Sequence, residues 1–144
     1  MIAAHQVAER LGGSKVLGSE VNSDLQFHRL VDKGFAPEVI DAMIQSQVIS
    51  RRELKLLAIA PRTLARRKQR HENLTPEESD RIARIARIVA YAEEVFADKA
   101  TAAAWLREPN SALADELPLE MAGTETGARL VETVLDRIAF GDYS

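Results

Sequence analysis

The chain has no cysteine among its 144 residues, which excludes a disulfide framework and any thiolate metal site. That usage fits a reducing cytoplasm, where we expect the protein to act. Its three histidines, His5, His28 and His71, are too scattered to form a metal-ligand motif such as HExxH. No glycine-rich phosphate loop is present. No apolar run approaches the roughly 18 residues that a membrane span requires. The start, MIAAHQVAERLGG, lacks the basic segment and long apolar run of a signal peptide. Aromatic residues make up 5% of the chain, and apolar and polar residues do not alternate strictly, so a sheet protein is disfavoured. Glu77, Glu78 and Asp80 cluster, but acids favour helix N-termini anyway, and Ser79 has no base beside it. We therefore expect no catalysis and no cofactor. Hydrophobic residues, 46% of the chain, recur at helical spacing and suffice for an all-α core of one compact domain or two small ones.

Charge is distributed unevenly. Between Arg51 and Arg70 stand eight lysines or arginines and one acid, a net +7 within a chain of net −3. The segment SRRELKLLAIAPRTLARRKQR reads as two short helices joined by a tight turn at Ile59-Ala60. Ser50 and Glu53 form a capping box for the first helix, and Pro61 suits the first turn of the second. Leu54, Leu57 and Leu64 point inward, which leaves Arg62, Thr63, Arg66, Arg67 and Arg70 facing solvent. Duplex DNA is the natural partner of such a segment, because each phosphate neutralised releases counterions. In a helix-turn-helix the second helix lies in the major groove with its N-terminal residues on base edges. The candidate DNA-binding residues are Arg51, Arg52, Arg62, Thr63, Arg66, Arg67 and Arg70. A solvated basic face on an ordinary helix pair is the plain alternative.

Residues 1–11 predict a short helix ended by Gly12-Gly13, and 12–22 a loop. Ser23 and Gln26 open a helix that buries Leu25, Phe27, Leu30 and Val31 and stops at Gly34. Pro37 starts a third helix with Val39, Ile40, Met43 and Ile44 inward. Thr75-Pro76-Glu77-Glu78 is the clearest start signal in the chain. The helix it opens runs to about Asp98, with Ile82, Ile85, Val89, Ala92 and Phe96 in one apolar stripe. Such a stripe can pack on its own chain or on a second subunit. Together with the N-terminal helix it is a candidate dimer surface. Trp105 sits on an alanine-rich helix and suits either the core or an interface anchor. Thr124 caps a last helix whose buried face is Leu130, Val131, Val134, Leu135 and Ile138. From Glu93 to Ser144 there are eleven acids and four bases.

These pieces resemble the Xre/MbcA/ParS-type antitoxins. The matching residues are SRRELKLLAIAPRTLARRK, LTPEESDRIARIARIVAYAEEVF, and the ending from AAAWLREPNSAL through PLEMAGTETGARLVETVLDRIAFG. The resemblance covers about residues 23 to 144. It implies an N-terminal helix and loop (1–19), an Xre-like helix-turn-helix domain (20–73), a connecting or oligomerisation helix (74–92) and a C-terminal toxin-binding domain (93–144). It further implies an antitoxin that blocks a cognate RES-domain toxin, an NAD-depleting enzyme, and represses its own operon. The expected partners are that toxin, operator DNA and a second copy of the chain, with no membrane. In the family the chain end lies close to the toxin's site. That nominates Arg137, Phe140, Asp142, Tyr143 and Ser144, beside Trp105. The competing reading is a dimeric helix-turn-helix repressor whose C-terminal domain senses a ligand or only dimerises.

Overall fold

The computed structural model describes residues 2–141. Among them the chain is helical throughout, with one isolated bridge pairing Asn110 and Glu116 in place of any sheet. Nine α-helices follow in order: α1 (Ala4–Arg10), α2 (Gly13–Leu17), α3 (Asp24–Lys33), α4 (Glu38–Gln45), α5 (Pro61–Arg70), α6 (Pro76–Phe96), α7 (Lys99–Leu106), α8 (Pro118–Met121) and α9 (Glu125–Ala139). A 3-10 helix spans Arg51–Leu57 and a shorter one Ser111–Leu113. No helix among the described residues is long and apolar enough to cross a membrane.

The fold is built around α6. Its start follows the sequence signal: Thr75 Oγ1 accepts from the Glu78 amide at 3.1 Å, and Glu78 Oε1 accepts from the Thr75 amide at 2.8 Å. From Ser79 to Ala92 it buries ten residues, on nearly every side. A helix that is apolar around most of its circumference must be enclosed. Here α1, α3 and the 3-10 helix pack against it from the N-terminal half, and α7, α8 and α9 from the C-terminal half. Ile82, Ile85, Val89 and Ala92 are therefore spent inside the chain and offer no stripe to a second subunit. The N-terminal helix is committed in the same way. Val7, Ala8 and Leu11 are buried, and Arg10 bonds Glu93 of α6 at 2.9 Å.

Ser79 is the one fully buried polar residue among the described residues, and its role is structural. Its Oγ accepts from the Phe35 amide at 2.8 Å, while the Phe35 carbonyl accepts from the Leu74 amide at 2.8 Å. The loop after α3 is thus tied to the start of α6 through one residue's backbone. The close approach needs Gly34. It stands at φ +95°, and a Cβ there would lie 2.1 Å from the Leu74 carbonyl oxygen.

Three expectations change. The segment 12–22 is not all loop: Gly12 and Gly18, both at positive φ, bracket the short helix α2, and Leu17 and Val21 are buried. The glycines act here as two caps rather than as one stop. Leu25 is 58% exposed, because α3 turns Phe27, Leu30 and Val31 toward the core instead. The first helix of the basic segment is 3-10 in form, although Ser50 and Glu53 form the predicted capping box.

Polar bonds line the seam between α6 and α9. Arg84 donates to the Gly123 carbonyl at 2.9 Å, Arg87 grips Glu132 at 2.6 Å, and the Tyr91 hydroxyl donates to Asp136. Burial, and then the Asp136 bond with the carboxylates around it, push the Tyr91 hydroxyl up to about 12. In the unfolded chain it titrates near its ordinary value of about 10. The folded state favours the neutral form, so this contribution is present below pH 10 and is lost as pH rises toward 12. Denaturant titrations across that window should show wild type losing on the order of 1 kcal/mol more than Tyr91→Phe, solvent screening being allowed for. Parallel pH profiles for the two proteins would exclude this role.

Candidate functional site

Two unlike surfaces stand on opposite halves of the core. The first is basic. Helix α5 has Pro61 in its first turn and buries no residue completely. Its inner side is Thr63, Leu64, Arg67 and Lys68, all half-buried. Its outer side is Arg62, Ala65, Arg66, Gln69 and Arg70, all exposed. Arg62, Arg66 and Gln69 recur at steps of four and three, so they form one row along the helix. Arg62 and Arg66 have no acidic partner among the described residues, and Arg70 meets only Glu72, at 4.0 Å on the surface. The preceding 3-10 helix adds exposed Arg51, Arg52 and Lys55.

Arg67 does not belong to this row. It pairs with Glu78, the carboxylate that also caps α6, and its side chain is 13% exposed. The sequence pattern placed it outward beside Arg66, but one step along a helix turns a side chain by about 100°, away from that row. Thr63 likewise stands at the inner edge. Lys68 reaches Asp41 of α4 at 3.0 Å. Two of the basic residues of α5 therefore dock the helix, and the others are left to act outward. Lys55 and Gln69 were missed at first. Each stands three residues beyond a nominated arginine, Arg52 and Arg66, and that helical spacing was the available signal.

The second surface lies on α9. Val131 and Leu135 face the core, with Val134 packed beside them. Leu130, expected among them, is 49% exposed, and Phe140 is 80% exposed. Arg137 stands exposed between them, seven residues beyond Leu130 and so about two turns along the same side. These are two of the three large apolar side chains exposed among the described residues. A paired leucine and phenylalanine flanking an arginine have the make-up of a protein-binding anchor. Trp105 is placed differently. It packs half-buried on the core with its ring 5.6 Å from that of Phe96. Asp142, Tyr143 and Ser144 lie outside the described residues.

The two halves also meet directly. Arg107, just past the end of α7, forks onto Glu53 of the 3-10 helix: Nε donates to Oε2 at 2.8 Å and Nη2 to Oε1 at 2.9 Å. Burial alone would raise the Glu53 carboxyl. The Arg107 bonds and charge and the Ser50 amide outweigh it and hold the group below its ordinary value. Beside this fork opens a cleft of about 800 Å³, walled by Ile44, Ile49, Val89, Ala103 and Leu106. No group of acids and histidines among the described residues could hold a metal ion.

The comparisons follow the same division. Residues 26–87 match the antitoxin Xre-like helix-turn-helix domain, and residues 92–141 match the antitoxin Xre/MbcA/ParS C-terminal toxin-binding domain. The break between the two matches falls inside α6. An antitoxin Xre of Pseudomonas putida is 35% identical over 122 residues, covering 85% of this chain and 76% of that one. One of Yersinia enterocolitica is 35% identical over 116 residues, covering 79% and 78%. One of Photorhabdus laumondii is 28% identical over 132 residues, covering 90% and 89%.

Proposed function

This chain belongs to the Xre antitoxin family, and we propose that it neutralises a RES-type, NAD-degrading toxin and represses its own operon. The observation that carries the reading is the pairing of two exposed surfaces of different chemistry on one core. The outward row of α5, with Arg51 and Arg52, suits phosphates and base edges. The Leu130–Arg137–Phe140 side of α9 suits a protein.

In this reading α5 enters the major groove with Arg62 foremost, and Arg66 and Arg70 follow along the groove or the backbone. The toxin covers the outer side of α9, and the chain end continues from there toward its active site. The carboxylate of Asp142 can make charge-assisted bonds, and the ring of Tyr143 can supply contact area, in a cleft shaped for an anionic dinucleotide. Removing Asp142 to Ser144 should then weaken inhibition without unfolding the domain. Operators of helix-turn-helix proteins commonly carry two half-sites, so the DNA-bound form is a dimer.

The test is the NAD concentration in cells that express the neighbouring gene, with and without this chain. NAD should fall with the neighbour alone and recover when the chain is present. If NAD stays constant, or falls regardless of the chain, the RES assignment is lost. The reading of a plain dimeric repressor would then take its place.

A further inference from the structure

We infer that Arg107, from the toxin-binding half, is a positioning residue for the DNA-binding half. By holding Glu53 it fixes the start of the 3-10 helix and so sets how Arg51 and Arg52 are presented to DNA. The inference rests on the reading that the basic segment binds DNA.

One carboxylate does two things here. Glu53 Oε1 accepts from the Ser50 amide at 2.8 Å, closing the cap, and also from Arg107 Nη2 at 2.9 Å. Its Oε2 takes the second prong of the fork at 2.8 Å. The rest of the guanidinium is occupied as well. Nη1 donates to the Ala103 carbonyl of α7 at 3.2 Å, and Nη2 reaches the Val48 carbonyl at 3.4 Å. Arg107 is thus anchored to its own helix at one end and to residues 48–53 at the other.

The element it holds needs holding. A 3-10 helix has poorer hydrogen-bond geometry than an α-helix, and a short helix depends on its cap and its packing. In this one only Leu57, at the far end, is fully buried. Arg51 and Arg52 stand at its exposed start, immediately after the capping residue Ser50. The cleft beside the fork is lined by Ser50 and Arg51 together with Ala103 and Arg107. A displacement of the end of α7 is therefore felt at Glu53, and the capping bond and the cap-adjacent cations move with it.

The test uses the full chain and three variants. Arg107→Lys keeps the charge but cannot make the two-pronged contact. Glu53→Gln keeps an oxygen for the Ser50 amide but loses the charge. The third variant combines both changes. Amide hydrogen exchange is read at residues 50–57 and, as a control, along α9. Affinity for duplex DNA from upstream of the gene is read across a salt series. Exchange at 50–57 should quicken at least about fivefold in each single variant, with α9 unchanged. DNA affinity should fall about fivefold to twentyfold, with a shallower salt dependence. The double variant should be no worse than the worse single one, since both break one contact.

Unchanged exchange at 50–57 overturns the inference. So does quickened exchange with undiminished DNA affinity, or fully additive effects in the double variant. The Arg62→Glu, Arg66→Glu protein separates this inference from the reading beneath it. If wild type binds DNA no better than that protein, the DNA reading itself has failed, and the inference falls with it even where exchange at 50–57 quickens.

Discussion

Reversing the charge at both Arg62 and Arg66 should lower affinity for operator DNA about a hundredfold or more while leaving the helices folded. Each side chain that contacts a phosphate contributes about one unit to the salt slope, and each that reads a base about 1–3 kcal/mol. The double glutamate variant should therefore bind more weakly and show a slope shallower by about two units. Both residues are exposed and without an acidic partner among the described residues, so little stability is at stake. Arg67→Glu is the instructive contrast. It sets a carboxylate against Glu78 in a half-buried pair and removes the partner of the α6 cap. That variant should lose both stability and binding, and thermal unfolding distinguishes it from the first. Wild-type affinity and an unchanged slope for the Arg62, Arg66 variant would remove α5 from the DNA interface.

The second large effect should come from α9. Leu130→Asp combined with Phe140→Asp should cost the toxin complex at least about 2 kcal/mol, a thirtyfold or greater loss of affinity, and abolish protection of cells. Buried apolar anchors carry most of the energy of an interface, and a carboxylate placed at each site must be desolvated on binding. About half of Leu130 and most of Phe140 is already in water, so the free chain should fold as before. Circular dichroism and DNA binding supply the control. Protection equal to wild type would move the toxin contact off this side of the helix.

Much of the architecture was legible because it is local. Ser50 with Glu53, Thr75 with Glu78, and Thr124 announce helix starts by chemistry confined to four residues, and all three form the expected caps. The stripe from Ile82 to Phe96 announced a helix with one apolar side and left open whether its own chain or a second subunit covers it. Periodicity could not say how much of the circumference would be covered, because that depends on elements far apart in sequence. Arg67 and Leu130 were misplaced for a related reason. A basic run and an apolar run each offer more candidates than one face can hold, and tertiary packing selects among them. Arg107 and Glu53 lie 54 residues apart, and nothing in either neighbourhood marks them as partners. The 3-10 form of the first basic helix was equally hidden, since its caps are those of an α-helix.

The enclosure of α6 has a consequence for how such chains diversify. Contacts to the two halves interleave along one helix. Ser79 and Glu93 are bonded to the N-terminal half, and Arg84, Arg87 and Tyr91, which lie between them, to the C-terminal half, so this stretch has no neutral seam. Exchanging one half with a distant relative would bring a foreign set of isoleucines and valines against the resident partner helices. Large-to-small or ill-fitting core changes of that kind cost several kcal/mol, a large part of a small protein's stability. Recognition of DNA and recognition of toxin should therefore be inherited together, each lineage carrying both specificities on a spine that recombination cannot easily cut.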